Sequence, residues 1–323
     1  MATFLYNESV NGGSIEFGKT IDAYANNLSE LANRLQKINP VLIDYFLGEN
    51  EDLRDVGTLV IAHVILERTL DWKKNANNEN RESQTKSQTK PQTKRDHRKE
   101  DDWYKFIVDR LTRECKNFDE LKEKNENQVK FITFNYDMSL ELELYERLSS
   151  IHLYANAKDK MRAFVKSLIV HVYGYCDSLE FNGREEKEKL QKAFEMSGSI
   201  KVIMPEKIDT RRADGEMVDA RETLKEAKIV YILGYGFDDN NNALLDLKEN
   251  LGFNGMGHSV TRKSVYFTNF EDRNLINKKA GMILCNYPSA FLNENIYQKT
   301  GQRLFTCEKS TKNTFNALAD DFD

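Results

Sequence analysis

Three short segments hold the residues able to do chemistry. Lys130 to Asp137 reads KFITFNYD, Ile169 to Tyr175 reads IVHVYGY, and Lys228 to Leu245 reads KIVYILGYGFDDNNNALL. Each opens as a run of apolar, β-favouring residues and breaks into polar groups, as a buried parallel strand does when its carboxyl end faces a ligand crevice. Asn135 brings an amide that can hold a hydroxyl or a water, and His171 brings an imidazole, the side-chain type that can accept a proton near neutral pH. Gly234 and Gly236 permit close backbone approach, and the helix expected from Asp238, Asp239 and Asn240 would aim its first amides at an anion or at sugar hydroxyls. Each feature also has a plainer use. The Asn135 turn can be a helix start capped by Asp137 or Ser139, a strand histidine is commonly a core residue, and a Gly-x-Gly serves any tight βα turn. Strand period puts His171 on one face with Tyr173 and Tyr175, and Val170 and Val172 on the other. His63, His97, His152 and His258 take the plainer reading.

As a set, TFNYD, HVYG and the later GYG strand end resemble the sirtuin-like superfamily, in particular the bacterial sirtuin-like proteins that destroy NAD during phage defence, over roughly Thr20 to Ala290. The resemblance implies that Asn135 and His171 flank the nicotinamide ribose as the catalytic pair. It implies NAD contacts from Asp22, Thr133, Phe134, Tyr136, Asp137, Tyr173, Gly174, Gly234, Tyr235, Gly236, Asn240 and Asn269, with Thr268 beside Asn269 at a further strand end. NAD is then a substrate, cleaved to nicotinamide and ADP-ribose. Relatives act as oligomers and often accompany a HerA-type hexameric ATPase. Typical sirtuins place the histidine directly before the glycine, where this chain has Tyr173, so His171 is the first choice and Tyr173 the alternate. A catalytically silent sirtuin-like subunit serving assembly is the alternative, and ADP-ribosyl transfer a minor third.

The elements that must position these residues alternate in kind. KFITFNYD precedes a helical MSLELELYERL, SLIVHVYGY a charged helix at Arg184 to Met196, IKVIMPEK the segment GEMVDARETLKEA, and KIVYILGYG the segment NNALLDLKEN. KSVYFTNF then leads through EDRNLINKKAG to GMILCNYP. Strands and helices in this order predict an α/β fold, a Rossmann-like doubly wound parallel sheet, over 128–295. The single domain would also hold a helical subregion over 14–127 and a C-terminal tail over 296–323. In the subregion, Leu28, Leu31, Leu35 and Ile38, then Leu59, Val60, His63 and Leu66, recur at helical spacing about a break at Pro40. Trp103, Phe106, Ile107 and Leu111 mark one face of another helix, capped by Asp101 or Asp102. Between Asn75 and Lys99 the tetrapeptide SQTK is written three times with one Ser-to-Pro change, which reads as a basic, disordered insertion.

Sirtuin-like enzymes open with a strand and a glycine-rich GAG phosphate loop, and the TID at Thr20 to Asp22 resembles the SID that lies well downstream of it. The chain is therefore expected to begin late in the family pattern and to bind NAD weakly, unless Gly12, Gly13 and Gly18 replace the loop.

Composition sets the outer bounds. The 323 residues are 40% hydrophobic and 31% charged, enough for a proper core, and a net charge of -5 gives no footprint for nucleic acid. No apolar stretch approaches bilayer length and Met1 to Gly13 lacks a secretory pattern, so a cytoplasmic protein is expected. Cys115, Cys176, Cys285 and Cys307 are too widely spaced for the paired CxxC zinc site of deacetylating sirtuins, so no metal is expected.

Overall fold

The computed structural model describes residues 15–40, 42–85, 103–178, 180–204, 211–251, 264–268, 274–284 and 306–307. In chain order the helices are α1 (Ile15–Ile38), α2 (Ile43–Glu49), α3 (Glu51–Thr85), α4 (Trp103–Thr112), α5 (Phe118–Asn125), α6 (Ser139–Ser150), α7 (Lys158–Ser167), α8 (Glu186–Ser197), α9 (Gly215–Glu226), α10 (Asp239–Leu244), α11 (Leu247–Leu251) and α12 (Asn274–Leu284). The strands are β1 (Phe131–Thr133), β2 (Ile169–His171), β3 (Ile229–Ile232), β4 (Ser264–Thr268) and β5 (Thr306–Cys307). The chain divides into two compact units, one drawn from Met1–Thr89, Thr133–Leu142 and Tyr173–Lys207, the other from Lys90–Ile132, Glu143–Val172 and Ile208–Asp323.

Helical periodicity builds the first unit. Leu53, Val56, Leu59, Ala62, Leu66 and Leu70 form a buried stripe along α3, against which α1 lays Leu28, Leu31 and Leu35 and α8 lays Leu190, Ala193 and Met196. Each fully buried leucine in such a stripe is worth about 1.5–3 kcal/mol of burial. α1 stops where the sequence breaks it. Asn39 takes a left-handed conformation (φ 46°), donates its N–H to the Leu35 carbonyl at 2.8 Å, and is followed by Pro40. α3 enters the segment expected to be an insertion loop and continues to Thr85; residues 86–102, with the remaining SQTK repeats and both expected caps of α4, lie outside the described residues.

In the second unit, α4, α5 and α7 gather around buried Leu111, Leu121, Phe164 and Tyr154, with Phe118 edge-on to Phe164 at 6.0 Å. β3, β4 and β5 form a parallel sheet in which Tyr231 pairs with Tyr266, their rings stacked at 5.2 Å, and Phe267 pairs with Thr306. The stretch expected to be a tail thus contributes a strand. β1 pairs with β2 in a second, two-stranded sheet, and α9 packs on β2.

The architecture is a mostly helical α/β fold with small parallel strand pairings. Two expected strands differ. In IKVIMPEK, residues 201–204 form no ladder: Lys201 donates its N–H to the Tyr173 carbonyl at 2.9 Å while Val202 and Ile203 are buried in a loop. In GMILCNYP the helix α12 runs on through Leu284, because Ala280 and Leu284 are buried at helical spacing.

Candidate functional site

In the first unit the TFNYD turn is tied to the segment after β2. β1 ends at Thr133, whose Oγ1 accepts the Asn135 N–H at 3.1 Å. Asp137 accepts the Ser139 N–H at 2.9 Å, so it serves the start of α6 as its side-chain type predicts. The Tyr136 carbonyl accepts the Cys176 N–H at 2.7 Å, and its hydroxyl donates to Asp44 Oδ1 at 2.6 Å, with the Lys201 carbonyl at 3.3 Å. Tyr173 is 3% exposed and lies between Phe134 (5.8 Å) and Tyr136 (6.5 Å). Of this turn Asn135 is exposed, whereas Phe134, Tyr136 and Asp137 are half-buried. Gly174 is needed for two reasons: its φ is +75°, and a Cβ there would collide with the Ser199 carbonyl. Its glycine is therefore accounted for by chain packing. Thr133, Phe134, Asn135, Tyr136, Asp137, Tyr173 and Gly174 are thus brought together.

His171 belongs to the second unit, as the last residue of β2 and 7% exposed. The strand does not continue past it. Residues 172 and 173 form a turn and Val172 is as buried as Tyr173, so the alternation expected to place His171, Tyr173 and Tyr175 on one face ends at His171. Arg211, 8% exposed, donates to the Val172 carbonyl at 3.4 Å and pairs with Asp214 at 3.3 Å.

The GYGFDD turn follows β3. Gly234 has φ +63°, and the space that a Cβ would fill on Gly234 or Gly236 is open. Tyr235 donates its hydroxyl to Asn242 Oδ1 at 2.9 Å, and Asn242 in turn donates to the Phe237 carbonyl at 2.9 Å. Phe237 is buried in a left-handed conformation (φ 51°), edge-on to Phe267 at 5.6 Å. The expected anion-holding helix start is modified here. Asp238 accepts the N–H groups of Asn240 and Asn241, both at 3.1 Å, so a carboxylate already occupies those amides and opposes a second negative charge. Asp22 lies in α1, in a stretch where only the backbone is described; Thr268 ends β4; Asn269 lies outside the described residues.

Comparisons with protein families, curated proteins and solved structures return no match.

Two residues near the predicted positions escaped the sequence reading. Asp44 meets Tyr136 from 92 positions away, and Arg211 meets the residue after His171 from 39 away. No local pattern signals either. Burial pushes the Asp44 carboxyl up, against the downward pull of the Tyr136 hydroxyl bond. Burial, with Asp137 adding, pushes the Cys176 thiol up to about 12, which suits a thiol packed in the core and not a nucleophile. A cavity of about 300 Å³ between the end of α1 and α2 is lined by Ile38, Pro40, Leu42, Tyr45, Phe46, Glu49 and Asn50, none of them predicted site residues. Among the described residues, no cluster of three His, Cys, Asp or Glu side chains is placed to hold a metal, and no helix is long and apolar enough to cross a membrane.

Proposed function

We propose that this chain is a sirtuin-like NAD glycohydrolase of bacterial phage defence, releasing nicotinamide and ADP-ribose. The observation that carries the reading is the TFNYD turn, in which Asn135 is exposed while its neighbour Tyr136 is tied down. Nicotinamide leaves NAD as a neutral ring from a cationic one, so no general acid is required and an oxocarbenium-like ribose develops. Asn135 fixes a ribose hydroxyl or the attacking water through its amide, and His171 accepts a proton from water or a ribose hydroxyl. On this reading Gly234 and Gly236, where the space a Cβ would fill is open, take the adenosine half of NAD. The complete fold on this reading is a Rossmann-like doubly wound sheet, and the working form is a cytoplasmic homo-oligomer with a HerA-type ATPase partner. The second reading, a catalytically silent nucleotide-binding or assembly subunit, draws on the burial of His171.

Incubation of the protein with NAD, alone and with a HerA-type ATPase, followed by chromatography, separates the two. Free nicotinamide and ADP-ribose, formed with or without chelator, support hydrolysis. NAD left intact under every condition overturns it in favour of the silent subunit.

A further inference from the structure

The turn bearing Asn135 is clamped at Tyr136 from both ends of that residue. Its carbonyl accepts the Cys176 N–H at 2.7 Å, and its hydroxyl donates to Asp44 Oδ1 at 2.6 Å. Asp44 stands in the first turn of α2, a helix held by close packing. Phe46 and Leu47 are buried, and Gly48 lies so close to the Ile203 carbonyl that a Cβ would strike it. The same loop returns to the turn, since the Lys201 carbonyl reaches the Tyr136 hydroxyl at 3.3 Å and the Lys201 N–H bonds the Tyr173 carbonyl at 2.9 Å. Among the described residues, the Asp44 carboxyl meets the Tyr136 hydroxyl, and the Lys201 carbonyl lies beyond it. A carboxyl withdrawn from water costs stability unless a hydrogen bond compensates it, and the Tyr136 hydroxyl supplies that bond. What the pair secures is the backbone on either side of Tyr136, and Asn135 is its immediate, exposed neighbour.

We propose that Asp44 is a positioning residue for Asn135, its carboxyl group fixing the Tyr136 side chain and with it the turn that presents the Asn135 amide. This rests on the reading of Asn135 as the group that meets NAD. Asp44 touches no reacting atom and acts through Tyr136.

The test uses the full chain with D44A, D44N, Y136F and the D44A/Y136F double variant, read by NAD turnover and by hydrogen exchange at the Cys176 amide. D44A and Y136F are expected to lower kcat about tenfold or more with KM little changed, because small misplacements of an orienting group fall on the chemical step. The double variant should lose no more than either single one. D44N, whose amide oxygen still accepts from the hydroxyl, should recover most of the loss. The Cys176 amide should exchange several-fold faster in D44A and Y136F and close to the wild-type rate in D44N. Wild-type kcat and exchange in D44A and Y136F overturn the proposal, as does a D44N as impaired as D44A. Should D44A fail to fold, Y136F and D44N carry the same comparison. A wild-type protein that leaves NAD intact sinks the hydrolase reading separately, and exchange at Cys176 then decides whether Asp44 holds the turn.

Discussion

At the scale of single residues, Asn135 and His171 differ in what their replacement costs. Asn135 is exposed and lies outside the buried core, so Asn135→Ala should leave stability within about 0.5 kcal/mol. His171 ends β2 and is 7% exposed, so His171→Ala should cost about 1–2 kcal/mol, from lost core contact. On the hydrolase reading both lose turnover by about a hundredfold or more, His171→Ala by removing the proton acceptor and Asn135→Ala by removing the amide that holds the hydroxyl or water in place. Urea titrations beside NAD turnover check this. A folded His171→Ala that keeps its activity, while Tyr173→Phe loses it, moves the catalytic role to Tyr173.

At the scale of elements, the α3–α8 packing contains a titratable group. His63 on α3 has its Nδ1 buried without a hydrogen-bond partner, next to the bridge in which Lys189 of α8 pairs with Glu67 at 3.0 Å and Glu186 at 2.7 Å. Burial lowers its pKa, Glu67 and Glu186 oppose that, and Lys189 adds to it. The folded protein therefore resists a proton that the unfolded chain accepts near the ordinary value of about 6.5. Stability should be fully present above that value and fall as pH drops from it toward the lower folded pKa. His63→Gln should flatten that part of the curve. Thermal melts of both proteins across pH 5–8 measure it, and parallel curves would show that His63 is not the group responsible. Asp44 has the opposite sign: its pKa is raised, so its contribution is present at low pH and lost as pH rises through the folded value.

At the scale of the whole molecule, neither unit is a continuous stretch of chain, because each is assembled from three segments. The helical subregion expected over 14–127 contains α1, α2 and α3 but not α8, which supplies Leu190, Ala193 and Met196 to the same core. A fragment of residues 1–128 should therefore be helical by circular dichroism yet unfold in urea without a cooperative transition. It lacks the apolar surface that α8 buries against α3, and isolated helices are marginal in water. A sharp cooperative transition with the full chain's midpoint would show that α8 is dispensable.

Local patterns carried much of this protein in legible form. The helical spacing of Leu59, Val60, His63 and Leu66 already marks α3, whose buried stripe runs from Leu53 to Leu70, Pro40 marks the end of the first helix, and Asp137, one of two candidate caps, announces the start of α6. The strand cores at Phe131–Thr133, Ile169–His171 and Ile229–Ile232 lie where apolar, β-favouring runs predict them. Short apolar runs are ambiguous, however. Residues 201–204 and Gly281–Leu284 read as strand by composition, and tertiary packing made one a buried loop and the other the end of a helix. The residues that hold the candidate site were outside the reach of sequence for a simpler reason. Asp44 with Tyr136, Arg211 with Val172, and Thr306 with Phe267 are pairings between distant parts of the chain. Chemistry-bearing residue types and helical periods are local properties that a sequence displays. Which distant carboxyl reaches a given tyrosine hydroxyl is settled only when burial of the core fixes the backbone that carries them both.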